Sequence, residues 1–74
     1  MTAAEIRAYR QRLGLTEGQA ARLAGVDGRT WRRWEGGELP MPPTARLLLH
    51  LMALPAARSV LESIATTSRR ETHD

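Results

Sequence analysis

The sequence predicts an all-α fold, in which five short helices form one compact domain. Apolar residues recur at the three- and four-residue spacing of helices, and β-branched residues never alternate over four or more positions as they do in strands. Glycine or proline follows each of the first four apolar segments, where helices usually stop. We place the domain at residues 1–65 and a polar, flexible C-terminal tail at residues 66–74, because 74 residues suffice for one domain and the tail has no apolar anchor.

The first two predicted helices both end at glycines. The first covers residues 3–13 and ends at Gly14; its stripe at positions i, i+3, i+4 and i+7 consists of Ile6, Tyr9, Arg10 and Leu13. The second begins at Thr16, because Thr16 and Gln19 have the three-residue spacing of a capping box. Its packing surface is rich in alanine, which lets a neighbouring helix cross closely, and Gly25 ends it.

The third predicted helix follows Asp27, a favourable N-cap residue, and ends at the pair Gly36-Gly37. A turn of about 100° per residue divides this helix into two faces. One face carries Thr30, Trp31, Trp34 and Glu35, and the opposite face carries Gly28, Arg29, Arg32, Arg33 and Gly36. We therefore expect the two tryptophans to anchor the helix in the core while its arginines project outward.

The fourth predicted helix runs from Pro43 or Thr44 to Leu54, and Pro55 both ends it and offers a first position for the fifth. A chain of this size without disulfides gains stability from tight helix packing or from a second subunit. The apolar surface of the last two helices exceeds what one face needs, so we predict a homodimer with an interface formed by Leu49, Val60, Leu61 and Ile64. The alternative is that such residues complete the core of one subunit, which we favour for Leu47, Leu51 and Leu61.

The formal net charge of +3 is concentrated in one segment of the chain. Residues 22–33 hold four arginines and one aspartate, whereas the seven arginines and seven acidic residues elsewhere cancel. A localised basic patch on a near-neutral body indicates a polyanion as partner, with a solvated helix face as the alternative.

The residue types present argue against an enzyme, a structural zinc site and a cofactor. There is no cysteine and no cluster of histidines with carboxylates. The only histidines are His50, which we expect to be partly packed, and His73. No apolar stretch reaches the roughly 20 residues that cross a bilayer, and the first eight residues carry Glu5 and Arg7 in place of an apolar run, so we expect a cytoplasmic protein.

An arginine-rich helix suits the major groove of double-stranded DNA, which admits one α-helix and presents guanine O6 and N7 to a guanidinium group. We predict base contacts by Arg29, Arg32 and Arg33, and we choose Arg29 first because it lies near the start of the helix. We also place Gly28 among the base contacts, where the absence of a side chain permits close approach to the DNA. Arg32 and Arg33 suit bases or phosphates equally well.

The preceding helix would then cross the sugar-phosphate backbone, where the exposed N–H groups of its first turn suit a phosphate oxygen. The predicted phosphate contacts are Thr16, Glu17, Gly18, Thr30 and Gly37. The carboxylate of Glu17 itself repels phosphate. It can cap its own helix, accept a hydrogen bond from cytosine N4 or point away from the DNA, and we favour the last.

The chain resembles the Cro/repressor (XRE-type) helix-turn-helix family, through the ordered set Leu13-Gly14-Leu15-Thr16, Ala20-Ala21, Gly25-Val26, Thr30, Arg33-Trp34-Glu35 and Gly37. This resemblance extends from about Ile6 to Met52. It implies a lambda-repressor-like domain of five helices, in which the second and third helices contact DNA. Glu17 departs from the family pattern, which usually has a glutamine there that helps contact DNA, and Asp27 stands where serine or threonine is frequent.

The resemblance also implies an ion pair between Arg10 and Glu35. Both residues lie on the apolar stripes of their helices, and a partly buried charge needs a partner. The alternative is two separate exposed charges.

As to function, the resemblance implies a transcriptional repressor that binds a palindromic operator as a homodimer, with half-sites about 34 Å apart. The small size indicates an operon-level regulator that represses its own operon, such as a phage or mobile-element autorepressor or the regulator that accompanies anti-CRISPR genes. The alternatives are an antitoxin-type regulator and a helix-turn-helix module that binds protein, although the module should have a neutral or apolar third helix.

Overall fold

The computed structural model describes the backbone of residues 1–72 and the side chains of residues 1–66. All regular structure in that part of the chain is helical, in the order α1 (Ala3–Arg12), α2 (Glu17–Ala24), α3 (Gly28–Glu35), α4 (Pro43–Leu51) and α5 (Pro55–Thr72). The predicted all-α fold of five helices is therefore confirmed. Among the described residues no single helix is long and apolar enough to span a membrane; α4 and the first part of α5 meet that requirement only together, across a bend of 117°.

The predicted tail, residues 66–74, begins inside α5. The backbone of this helix continues to Thr72. The last two residues of the tail, which include His73, lie outside the described part of the chain. The domain boundary at residue 65 stays a prediction.

Side-chain caps begin the first three helices. The predicted capping box of α2 is present: Thr16 Oγ1 accepts a hydrogen bond from the Gln19 N–H at 3.1 Å, and the Thr16 N–H donates to Gln19 Oε1 at 2.9 Å. The N-cap of α3 is Asp27, as predicted, and its Oδ1 accepts a hydrogen bond from the backbone N–H of the third helical residue at 2.7 Å. A further capping box, which we had not predicted, joins Thr2 and Glu5 at the start of α1.

Glycines in the left-handed region end α2 and α3. Gly25 has a φ of +74° and Gly37 a φ of +77°, values that residues with a side chain rarely adopt. At the end of α3 the Glu38 N–H donates to the carbonyl of Arg33 at 2.9 Å, and the Gly37 N–H donates to the carbonyl of Trp34 at 3.3 Å. These two bonds form a Schellman motif, which satisfies the last carbonyls of the helix and turns the chain away.

The core lies around α2, which packs against α3, α4 and α5, while α1 packs against α3. Ala20 and Ala21 of α2 are both buried, and their small side chains let the neighbouring helices approach closely. The buried apolar residues are Ile6, Leu15, Ala20, Ala21, Leu23, Trp31, Trp34, Met41, Ala45, Leu49 and Met52. The core therefore includes the tryptophan face of α3, as the sequence predicts.

The structure corrects two leucine assignments on α4. Leu49 is 0 % exposed and fills the core, so it offers no surface to a second subunit. Leu47, which we expected in the core, is 61 % exposed. Ala45 and Leu49 are four residues apart and face the core together, and the helical turn of about 100° per residue therefore directs Leu47 to the opposite side.

The end of α4 and the surface of α5 also differ from expectation. α4 ends at Leu51 and not at Leu54, because the chain forms a tight turn in which the Leu54 N–H donates to the carbonyl of Leu51 at 3.0 Å. On α5, Leu61 is half-buried against the core, whereas Val60 and Ile64 are 58 % and 57 % exposed. Of the four predicted interface residues, only Val60 and Ile64 are therefore largely exposed.

Candidate nucleic-acid interface

The two faces of α3 differ sharply in exposure. Trp31 is 0 % exposed and Trp34 is buried beside it, with ring centroids 5.5 Å apart in an edge-to-face arrangement. The arginines of the opposite face, Arg29, Arg32 and Arg33, are all exposed. The helix is thus held by its aromatic face and presents a row of guanidinium groups to solvent.

A buried carboxylate fixes α3 to α1. The side chain of Glu35 is 1 % exposed, and Arg10 donates to both of its oxygens, from Nε to Oε2 at 2.6 Å and from Nη2 to Oε1 at 2.9 Å. The indole N–H of Trp31 also donates to Oε2, and Arg7 Nε lies 3.6 Å from Oε1. Together these four side chains, which we call the Glu35 cluster, leave neither carboxylate oxygen without a partner.

The Glu35 cluster keeps its carboxylate ionised. Burial alone would raise the pKa of Glu35, but the hydrogen bonds from Arg10 and Trp31 and the charges of Arg10 and Arg7 lower that pKa below its ordinary value. A buried charge with this many donors holds the helix in one orientation, because any rotation of α3 would break several charge-assisted hydrogen bonds at once.

Arg10 connects this cluster to the start of α2. Its Nη1 donates to the carbonyl of Leu15 at 2.9 Å, so one guanidinium group contacts α3 and the loop between α1 and α2. The hydrogen bond to Glu35 raises the pKa of Arg10, and the negative charge of Glu17 adds to this effect.

The three arginines of α3 lie around one shallow, open depression of about 260 Å³, whose fourth lining residue is Glu38. We call Arg29, Arg32 and Arg33 the arginine surface. The sequence placed them on one helix face, and the structure brings them together around a common space. A surface of this kind attracts an anion and offers several N–H donors in one direction.

The members of the arginine surface have different surroundings. Arg32 folds back along the helix, since a β-carbon built on Gly28 would lie 3.1 Å from Arg32 Nη1. Arg33 Nε lies 3.6 Å from Glu38 Oε2. Arg29 makes no hydrogen bond or ion pair with any side chain that the structure describes, but its positive charge lowers the pKa of Asp27.

The Asp27 carboxylate therefore lies within the field of the arginine surface. Hydrogen bonds from the side chain and backbone of Thr30 lower the pKa of Asp27, and the charges of Arg29 and Arg32 lower it further. A β-carbon at Gly28 would press on the flexible end of the Arg32 side chain, which can shift, and the close approach of Gly28 to DNA stays a prediction.

The predicted phosphate contacts divide into two groups. Thr16, Glu17 and Gly18 lie together at the start of α2, where the first N–H groups of a helix have no partner within it. The backbone N–H groups of Thr30 and Gly37 are instead engaged, with Asp27 Oδ1 and with the carbonyl of a helical residue respectively. The structure thus provides free backbone donors at the start of α2 and not at those two positions.

A family model described as a helix-turn-helix domain matches residues 3–69. The chain belongs to this family. The match extends beyond the segment from Ile6 to Met52 on which the sequence resemblance was based, and it covers both α2 and α3. The arginine surface lies within the matched segment.

The helix-turn-helix chain is similar to one characterised relative in particular, the transcriptional repressor protein KorC of Escherichia coli. The two are 47 % identical over 51 residues, which is 65 % of this chain. The matched part spans about 60 % of the length of KorC. No solved structure matches the chain.

Three contacts of this helix-turn-helix domain were missed by the sequence analysis, those of Arg7 with Glu35, of Arg10 with the Leu15 carbonyl and of Glu38 with Arg33. Arg7 precedes Arg10 by three residues, a spacing that places both on one side of α1, so the pattern contained the signal. The contact of Arg10 with the Leu15 carbonyl is a backbone interaction that no residue pattern encodes. Glu38 follows the end of α3, and its position beside Arg33 depends on the exact turn of the chain.

Proposed function

We propose that this helix-turn-helix protein is a sequence-specific DNA-binding transcriptional repressor, with α3 as the recognition helix in the major groove. It represses its own small operon by binding a palindromic operator as a homodimer. KorC, to which it is similar, is a transcriptional repressor by name, and the family is that of a helix-turn-helix domain. Neither the domain nor the chemistry of its surface calls for a cofactor.

The observation that carries this proposal is the division of α3 into a buried and a basic face. Trp31 and Trp34 seat the helix in the core, and Glu35 locks its orientation, so the arginine surface is held in place before any ligand arrives. A row of arginines on a short helix whose backbone is held in place suits guanine edges and flanking phosphates in a groove about 12 Å wide. A helix that binds protein would be expected to present apolar groups there.

Arg29 is our choice for the residue that contacts a base. Like Arg32, it makes no ion pair or hydrogen bond with a described side chain, and it lies nearer to the start of α3, so its guanidinium can reach O6 and N7 of guanine without breaking an existing contact. Arg32 lies along the helix over Gly28 and can swing outward as DNA approaches.

The start of α2 supplies the backbone contacts. Its free N–H groups at Glu17 and Gly18, with the hydroxyl of Thr16, form the donor group for one phosphate. The Thr16 oxygen already accepts a hydrogen bond from Gln19, and its own proton remains to be donated. The backbone N–H groups of Thr30 and Gly37 already have hydrogen-bond partners, so we propose that these two residues lie against the DNA backbone without donating an N–H to a phosphate.

The homodimer is proposed to form through the exposed apolar residues of α5. Val60 and Ile64 are four residues apart, so they form one patch on the helix, with Leu61 half-buried at its edge. Two copies related by a two-fold axis would present two recognition helices about one DNA turn apart, which a palindromic operator requires.

The decisive experiment is selection of bound sequences from a pool of random double-stranded DNA by the purified protein, followed by sequencing. Enrichment of a palindrome would support both sequence recognition and the dimer, and enrichment of a single half-site would support recognition by a monomer. A pool that remains random after several rounds would contradict the proposal and favour the protein-binding module. A variant with Arg29, Arg32 and Arg33 all replaced by alanine is the control, and it should enrich nothing.

A further inference from the structure

A carboxylate lies within the otherwise basic depression on the recognition helix. Glu38 lines that depression with the three members of the arginine surface, and its Oε2 lies 3.6 Å from Arg33 Nε. The side chains of Arg33 and Glu38 are 43 % and 70 % exposed, so both remain accessible to a ligand. A carboxylate on a surface that binds DNA repels the phosphates, so it cannot increase the affinity for DNA and must have another effect on binding.

The fold keeps Glu38 close to Arg33. The Schellman motif at the end of α3 binds the Glu38 N–H to the Arg33 carbonyl at 2.9 Å, so the backbones of the two residues are joined. The N–H of Leu39 reaches the same carbonyl at 3.3 Å. The backbone of Glu38 is thus held next to that of Arg33, which keeps the carboxylate within reach of the guanidinium group.

The Glu38 carboxylate contacts one particular edge of the Arg33 guanidinium group. Glu38 faces the Nε side of the guanidinium group, which leaves the two terminal nitrogens, Nη1 and Nη2, as the free edge. This free edge is the one that donates a bidentate pair to O6 and N7 of guanine. The Nε side, from which a phosphate could also be held, is occupied by a negative charge that a phosphate would have to displace.

We propose that Glu38 is a specificity-determining residue, which orients Arg33 as a reader of guanine and prevents it from acting as a phosphate clamp. This inference rests on the proposed DNA-binding function. Glu38 acts through Arg33 and is therefore a positioning residue. An exposed ion pair contributes little to the stability of the fold, so the consequence of the pair is seen in how the protein discriminates between DNA sequences.

The test measures binding of the full chain to the selected operator, to single-base variants of that operator and to random-sequence DNA. Arg33→Ala should lose about tenfold or more of the discrimination at one guanine position, the size of effect that a bidentate contact gives. Glu38→Gln should lose about threefold at the same position and should bind random-sequence DNA about threefold more tightly, as expected from removing one exposed charge pair. Replacing that guanine by 7-deazaguanine, which lacks N7, should weaken the unaltered protein and leave Arg33→Ala unaffected.

The matched control is Glu62→Gln. Glu62 pairs with Arg58 on α5 at 3.3 Å and is also an exposed carboxylate, so this variant changes the net charge equally without touching the arginine surface. Equal effects of Glu38→Gln and Glu62→Gln would overturn the inference. So would an equal loss of affinity for every sequence in Arg33→Ala, which would make Arg33 a phosphate contact and leave the repressor proposal intact. Absence of DNA binding by the unaltered protein would overturn the repressor proposal and this inference together.

Discussion

Arg10 of α1 and Glu35 of α3 lie 25 residues apart in the chain and meet through two parallel hydrogen bonds of 2.6 and 2.9 Å. The pair joins α1 to α3, the proposed recognition helix, and Trp31 donates to the same carboxylate from inside the core. Because the orientation of α3 depends on this pair, its removal has consequences for the fold that can be separated from those for DNA contact.

Glu35→Gln is expected to destabilise the protein by about 3 kcal/mol, because it leaves the buried guanidinium of Arg10 without a charged partner. The measurement is the free energy of unfolding from urea titration, followed by circular dichroism at 222 nm. Glu62→Gln, at an exposed ion pair, is the control and should change the unfolding free energy by less than about 1 kcal/mol. Equal stability of the two variants would show that the Glu35 cluster is not a determinant of the fold.

Acid should weaken the fold through the same carboxylate. The pKa of Glu35 is lowered in the folded protein, so its contribution to stability is fully present above the ordinary carboxyl pKa of about 4.3 and is lost as the pH falls through the lower, folded-state value. The lowered pKa values of Asp27 and Glu5 act in the same direction. Urea midpoints measured from pH 7 to pH 2.5 should fall more steeply for the unaltered protein than for Glu35→Gln, and parallel curves would contradict this account.

Arg29→Ala should weaken binding to the selected operator by about 1–3 kcal/mol and relax discrimination at one base pair. The reason is that Arg29 makes no hydrogen bond or ion pair with a described side chain and lies near the start of α3, the proposed recognition helix. Arg12→Ala removes the same charge from α1, where the guanidinium lies over the ring of Tyr9, and serves as the control. Equal losses on operator and random DNA would assign Arg29 to phosphate contact.

Salt should weaken operator binding steeply, because each neutralised phosphate releases about 0.9 of a counterion from the duplex. The slope of log K against log salt concentration, measured by fluorescence anisotropy, should become less steep by about one when a single phosphate contact is removed. We expect this change when Arg32 is replaced by alanine if that side chain holds a phosphate in the complex. A flat salt dependence of the unaltered protein would contradict an electrostatic contribution by the arginine surface.

Val60→Asp should disrupt the proposed homodimer, because it places a charge in the exposed apolar patch of α5. The mass in solution, measured by light scattering after gel filtration, should fall to that of one 8.2 kDa chain. Leu47→Asp, at an equally exposed leucine of α4, is the control and should leave the mass unchanged. A monomeric unaltered protein would contradict the proposal that α5 forms the interface.

Local signals made most of the helix boundaries predictable. Thr16 with Gln19, and Asp27 before α3, cap their helices through bonds that span only three residues, so the sequence spacing is sufficient evidence. The two faces of α3 were predictable because its large apolar and charged residues separate cleanly around one turn. The structure accordingly buries the two tryptophans and exposes the three arginines.

Assignments failed where neighbouring residues were chemically alike. Three consecutive leucines on α4 give no face a distinct pattern, so Leu47 and Leu49 were assigned the wrong way round. The position of Glu38 beside Arg33 was not predictable either, since it depends on a left-handed glycine and a Schellman motif that redirect the chain after α3. Contacts made across a turn require the backbone path, which composition and periodicity do not contain.

Both tryptophans of the protein belong to α3 and lie on its buried face. The intrinsic tryptophan fluorescence of the whole chain is therefore the emission of α3. Displacement of this helix from the core would expose both indoles to water and shift their emission to longer wavelength, with no label attached to the protein. DNA can thus be added to the protein while the emission wavelength of the two tryptophans shows whether α3 stays packed against the core.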